Sequence, residues 1–220
     1  MSLGFFYCVS MHATPSSQEK VFEIEVLQGK DLRDEAYLRS FADLRIRVFR
    51  EYPYLYEGDF DYEKNYLKRY AESSDAVFVV VRDATTGEIV GASTANHLSQ
   101  EMDEVKTVFL NAGFGIDEVY YFGESVLLPE WRGMGIGKRF FEEREQAAKR
   151  SPKVRWMTFC AVDRSGSEIP IPEDYRSPEY LWGKQGFEKH PELVTYFSWK
   201  EIGATEETKK PMTFWLKKIE

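Results

Sequence analysis

Between residues 132 and 138 the chain reads Arg-Gly-Met-Gly-Ile-Gly-Lys, three glycines at alternate positions flanked by two cations. An apolar, strand-like run precedes this string and a helical pattern follows it. Unpaired backbone N–H groups and the positive end of a helix dipole therefore converge there, a setting that holds anions. Glycine lets the backbone approach a phosphate closely, and Arg132 and Lys138 add charge. Two familiar phosphate loops fail on spacing. A P-loop needs four residues before its Gly-Lys pair and then Ser or Thr, but only three separate Gly133 from Gly137, and Arg139 follows Lys138. A dinucleotide fingerprint counted from Gly133 meets its third glycine one residue early, at Gly137. The plain alternative is a glycine turn that merely starts a helix.

Other residues invite chemistry singly. Glu124 stands inside an otherwise apolar strand, where a charge is costly unless it is used or paired. Its structural role would be an ion pair with an arginine such as Arg155 on the neighbouring strand. Cys160 lies centrally in a strand with no histidine nearby in sequence, which reads as a buried structural thiol rather than a nucleophile. His12, His97 and His190 lack partners at ligand spacing, so no metal site is expected.

These residues need elements to position them. Leu38, Phe41, Leu44, Ile46 and Val48 recur at helical spacing after Asp31 until Pro53, and Tyr62 to Ala71 gives a second amphipathic segment. Ala76 to Arg82 and Ile89 to Ala95 are strands joined by Thr85-Thr86-Gly87, a hairpin. Met102 to Leu110 is helical. Val119 to Leu128 is a strand broken at Pro129, Gly137 to Arg150 a helix with Phe140, Phe141, Ala147 and Ala148 on one side, and Val154 to Val162 another strand. A proline-rich excursion from Ser165 to Pro178, a short helix from Tyr180 to Lys184, and strands over Leu193 to Trp199 and Met212 to Lys217 complete the chain. The order implies one α+β domain over 21–220, largely antiparallel with one β-α-β unit at its centre.

Composition narrows the classes. The 220 residues are 43% hydrophobic and 30% charged, which excludes a disordered or disulfide-scaffold chain. A net charge of -8 disfavours nucleic acid and anionic membranes as partners. Two cysteines in a chain of this size point to a reducing cytoplasm. The apolar run Leu3 to Val9 has no basic residue before it and no small-residue cleavage pattern after it, so residues 1–20 read as a mobile arm. No apolar run is long enough to span a membrane.

The wider string Val126-Leu-Leu-Pro-Glu-Trp-Arg-Gly-Met-Gly-Ile-Gly137 resembles the Arg-x-x-Gly-x-Gly signature of the GCN5-related N-acetyltransferase (GNAT) superfamily. The hairpin, the strand at 154–162 and Leu181-Trp-Gly-Lys-Gln-Gly-Phe187 fall in that family's order, so the resemblance covers roughly residues 21–200. It implies a mixed, mostly antiparallel central sheet with flanking helices, and acetyl-CoA as cosubstrate. It also assigns Val126, Leu127 and Leu128 to the pantetheine arm, and Arg132, Gly133, Met134, Gly135, Ile136, Gly137 and Lys138 to the pyrophosphate. Transfer to an amine of pKa ~10.4 then asks for a base, for which Glu124 is the candidate. The family's usual bases occupy the strand face where Tyr121 and Gly123 would fall without a bulge, and a bulge near Leu127 would offer amides to an oxyanion. Where the family often has a tyrosine to protonate the thiolate, this chain has Trp182, with Tyr180 the nearest phenol. The acceptor falls to loops at 51–70, 97–115 and 164–178. Their Tyr52, Tyr54, Tyr56, Glu57, Asp59, Asp61 and Tyr62 suit a cationic, partly apolar amine. The implied activity is N-acetylation of a primary amine on a small molecule or peptide. The alternatives are a catalytically weak CoA-binding regulatory module and a nucleotide-binding protein; the one protein partner entertained is a second copy, in a homodimer.

Overall fold

Val77-Phe-Val-Val-Val81 is buried residue after residue, as a strand must be when both its faces are covered. In the computed structural model, which describes residues 20–32 and 35–219, this run is β2 (Val77–Asp83) and pairs antiparallel with the equally buried β3 (Ile89–His97). The expected N-terminal arm lies outside the described residues apart from Lys20. Outside β2 runs β1 (Phe22–Gln28), whose Phe-Glu-Ile-Glu-Val alternation suits an edge strand with one solvated face. On the other side β4 (Val119–Leu127) pairs antiparallel with β3, and α4 (Ile136–Lys149) carries the chain over to β5 (Trp156–Val162), parallel to β4. β7 (Glu207–Lys218) inserts antiparallel between β5 and β6 (Glu188–Lys200), giving the order β1-β2-β3-β4-β5-β7-β6. The result is the mixed, mostly antiparallel sheet with a central β-α-β unit that the sequence implies.

Helices cover both faces. α1 (Glu35–Phe49) and α2 (Phe60–Glu72) bring Phe41 and Tyr70 edge-on against Phe78, with ring centroids 5.7 and 6.0 Å apart. α4 presses Phe140, Phe141, Ala147 and Ala148 into the opposite face. A second apolar cluster lies under α3 (Asp103–Asn111), where Phe109 meets Phe214 at 4.9 Å. The short α5 (Glu179–Lys184) follows the excursion at 165–178.

Three readings change. β1 is a strand where none was expected, and β6 and β7 extend well beyond 193–199 and 212–217. The helical segments expected at 62–71 and 102–110 are α2 and α3, so the stretches 51–70 and 97–115 assigned to the acceptor are loop only outside them. Among the described residues no helix is long and apolar enough to cross a membrane.

Candidate active site

β4 and β5 run side by side only from Val119–Tyr121 against Trp156–Thr158. Beyond Tyr121 the β4 edge has no strand partner on this side, and a cavity of about 910 Å³ opens between the two strands and the loops above them. Ser125 and Leu127 line it from β4, Phe159 and Cys160 from β5, and Trp182 from α5. Of the three residues assigned to the pantetheine arm, Leu127 reaches the cavity; Val126 is buried in the core, and Leu128 is tied by its N–H to the Val90 carbonyl at 3.0 Å.

The glycine string sits at the start of α4. Gly133 and Gly135 have φ of +80° and +81°, and a Cβ added at either would meet nothing within 4 Å, so open space faces the loop. Gly135 caps α4 without a side-chain bond, leaving the leading N–H groups of the helix to an outside anion. Arg132 donates from Nε to the Leu127 carbonyl at 3.2 Å and from Nη2 to Glu51 at 2.8 Å, while Lys138 lies 3.1 Å from Glu142. These exposed ion pairs are weak enough to yield to a phosphate. An open strand edge leading from an uncapped, glycine-lined helix start fits the extended arm and pyrophosphate of an acyl-CoA, which would supply the activated thioester when bound.

Glu124 owes its position to one extra residue in β4. Ser93 pairs with Ser125 and Ala95 with Phe122, so two steps along β3 match three along β4. This bulge lies at Gly123–Glu124, not near Leu127 as expected. In an unbroken strand Phe122 and Glu124 would share a face. Instead Phe122 packs against Phe141 and Arg144 of α4, while Glu124 turns to α1 and α2 on the other side, where Tyr121 also faces the cavity. Gly123 is required at the bulge, because a Cβ there would collide with Thr94 and come within 2.8 Å of the Tyr70 hydroxyl.

The partner of Glu124 is Arg45 of α1, not Arg155, which donates instead to the carbonyls of Pro152 and Val154. Arg45 Nη1 lies 2.8 Å from Glu124 Oε2, and Arg45 Nε bonds Glu63 of α2. Burial alone would depress the Arg45 guanidinium, but Glu124 and Glu63 hold it well above its usual range. Tyr66 donates its hydroxyl to the same Glu124 oxygen at 3.0 Å, and burial, reinforced by Glu124, pushes this phenol well up. The ion pair and the hydrogen bond both fall on Oε2, and Oε1 accepts no hydrogen bond from the described residues. Arg45, Glu63 and Tyr66 were not singled out in the sequence, where Arg45 and Arg47 both alternate with apolar residues and nothing local separates the buried arginine from the exposed one.

Tyr52, Tyr54, Tyr56 and Tyr62 line the cavity, whereas Glu57, Asp59 and Asp61 do not; Asp59 caps α2 by accepting from the Tyr62 N–H at 2.7 Å. Arg164, also absent from the sequence reading, straps this rim down by donating to the carbonyls of Pro53 and Tyr54 and to Glu201 at 2.6 Å. Cys160 is buried 3.3 Å from the Tyr121 hydroxyl, and burial pushes its thiol up to about 12. Trp182 packs between Phe159 and Trp215 at 5.0 and 5.1 Å. Tyr180 is 73% exposed, under Lys184. His97 packs edge-on to Tyr120, His190 contacts Glu192, and His12 lies outside the described residues. Among the described residues no group of histidine, cysteine and carboxylate side chains could hold a metal.

Comparison with known proteins agrees with this geometry. Residues 38–167 match the model of the acetyltransferase (GNAT) family. No curated protein matches the chain. Among solved structures, mosquito arylalkylamine N-acetyltransferase like 5b superposes with a TM-score of 0.57 at 13% identity, over 90% of this chain and 100% of that one. Arabidopsis thaliana NAA60 in complex with a bisubstrate analogue gives 0.57 at 12% identity over 90% and 100% of the two chains. The same protein in complex with acetyl-CoA gives 0.56 at 12% identity over 90% and 99%. With its strand splay, its glycine loop and more than half its length matched, this chain belongs to the GNAT family of acetyltransferases, whose cosubstrate is acetyl-CoA.

Proposed function

We propose that the protein transfers the acetyl group of acetyl-CoA to a primary amine of a small molecule or peptide. The observation that carries this reading is the bulge at Gly123–Glu124, which aims a carboxylate with one unengaged oxygen into the cavity beside the open β4 edge. An alkylamine arrives protonated at neutral pH, with a pKa of ~10.4, and must lose a proton before it can attack. Glu124 Oε1 is the acceptor for that proton. Arg45 and Tyr66 hold the carboxylate in place through Oε2. The tyrosines of the rim favour a cation carried on an apolar body. An arylalkylamine N-acetyltransferase among the structures of this fold supports nitrogen as the acceptor atom, and the cysteine-poor composition supports a reducing compartment as the place of action.

The test is thiol release from acetyl-CoA across a panel of small amines, amino acids and peptides. Amine-dependent release, with the acetylated amine recovered, is the expected result. Tight binding of acetyl-CoA with no transfer to any member would replace the enzyme with a CoA-binding module.

A further inference from the structure

Arg144 is the bulkiest fully buried side chain among the described residues, 2% exposed, on the core-facing side of α4. Its neighbours on that face are Phe140, Phe141, Ala147 and Ala148, so an apolar residue would fill the position at far lower cost. A buried arginine ordinarily has a carboxylate against it, and this one has none among the described residues. Nε donates to the Phe140 carbonyl at 3.0 Å, and Nη1 lies 3.4 Å from the carbonyls of Thr94 and Glu124. The guanidinium lies 4.4 and 5.1 Å from the rings of Phe122 and Phe141. Nη2 donates to no described residue, yet it is not among the buried nitrogens sealed without a partner, so it keeps some access to solvent, and Arg144 is one of the residues that line the cavity.

A cation with no carboxylate against it among the described residues thus stands behind the β4 bulge, on the opposite side of the strand from Arg45, in a residue that lines the cavity and has one donor left over. Burial pushes its guanidinium below the usual range, and Glu124, Tyr120 and Tyr70 are the groups that oppose this. Such a group is under-supplied with negative charge in the resting protein and takes up an anion readily.

We propose that Arg144 is a catalytic residue of the acetyl transfer, its Nη2 neutralising the negative charge that develops on the thioester as the C–S bond breaks. The assignment rests on the N-acetyltransferase reading. In the step it serves, the neutral amine, left once Glu124 has passed the first proton on to solvent, forms the C–N bond with its lone pair, and its second proton then passes to Glu124. The C–S bond breaks with its electron pair going to sulfur. Arg144 donates a hydrogen bond throughout and keeps its protons. Other candidates fit the acid's part poorly: Trp182 carries an indole, Tyr180 is exposed, and burial pushes both the Cys160 thiol and the Tyr121 phenol too high to protonate a thiolate.

The experiment is titration of the thiol of CoA bound to the wild-type protein, followed by the ultraviolet absorbance of the thiolate against a desulfo-CoA blank. Free alkyl thiols titrate near ~8.5. The thiol bound to the wild-type protein is expected about one unit or more lower, and Arg144→Met is expected to return it to the free value with unchanged CoA affinity. The same substitution should lower kcat about 10²- to 10³-fold with little effect on KM, and Arg144→Lys should fall between. A wild-type bound thiol at or above the free value overturns the assignment, as does an equally low value in Arg144→Met. Should Arg144→Met not fold, Arg144→Gln, which keeps a donor for the carbonyls but no charge, carries the same comparison. Failure of the wild-type protein to bind CoA would overturn the acetyltransferase reading, and this assignment with it.

Discussion

Glu124 reaches the acceptor cavity because a single inserted residue turns it away from the α4 side of the sheet, and its surroundings separate two roles. As the base, it should lose function on replacement by glutamine without losing its shape or its Tyr66 bond. Glu124→Gln is expected to lower kcat about 10²- to 10⁴-fold with little change in acetyl-CoA affinity, measured by steady-state kinetics and calorimetry. Normal turnover with a lower melting temperature would leave it a structural ion pair. Arg45 makes the opposite prediction. Arg45→Met strands Glu63 and Glu124 as buried, uncompensated carboxylates, a loss of about 3–5 kcal/mol that urea unfolding would register. Cys160, with its thiol at about 12, should be alkylated at pH 8 roughly ten-thousandfold more slowly than a fully ionised thiol, and quickly only after unfolding. The oddness of Glu124 is visible in the sequence as a charge inside an apolar strand. Its partner is not, because Arg45 is buried only once α2 brings Glu63 over it, and helical spacing in α1 carries no trace of that closure.

At the level of elements, the start of α4 divides the work between backbone and side chains. Gly135 holds a positive φ with open space beside it, so valine there is strained by its backbone and fills the volume that phosphates need. Gly135→Val should abolish CoA binding in a protein that still melts cooperatively. Arg132→Ala should weaken binding less, since the helix N–H groups remain; equal, wild-type affinities by calorimetry would contradict both expectations. This loop is legible because glycine spacing is a local property of the chain. The bulge of β4 is not, since it exists only as a mismatch of register against β3. β1 escapes for a different reason: Phe-Glu-Ile-Glu-Val is too charged to resemble the buried strands beside it, and it is a strand because β2 offers it an edge. β6 contains Pro191 and a register shift between His190 and Val194, so the strand expected from Leu193 is the later part of a longer strand that carries an irregularity.

For the molecule as a whole, the binding of an anionic cosubstrate by a chain of net charge -8 has to be settled locally. The long-range field opposes CoA, and the cations at the loop are partly engaged by Glu51 and Glu142. What favours binding is geometry: the helix start, the open β4 edge and the adjoining cavity lie on one side of the sheet's central seam, and a ligand seated across them ties α4 to the two strands it connects. A ligand that binds only the folded state stabilises it by RT ln(1 + [L]/Kd), roughly 2.7 kcal/mol at a hundredfold excess over Kd. For a domain of this size each kcal/mol moves the midpoint by about 2–4 °C, so saturating CoA should raise the melting temperature by roughly 5–10 °C. ATP with magnesium should leave it unmoved. The loop lacks the Ser or Thr that a nucleotide-bound metal would need. Calorimetric scans with CoA, ATP–magnesium and neither ligand decide the matter: a shift with ATP alone would return the glycine loop to the nucleotide-binding reading, and no shift with either would leave it a turn that starts a helix.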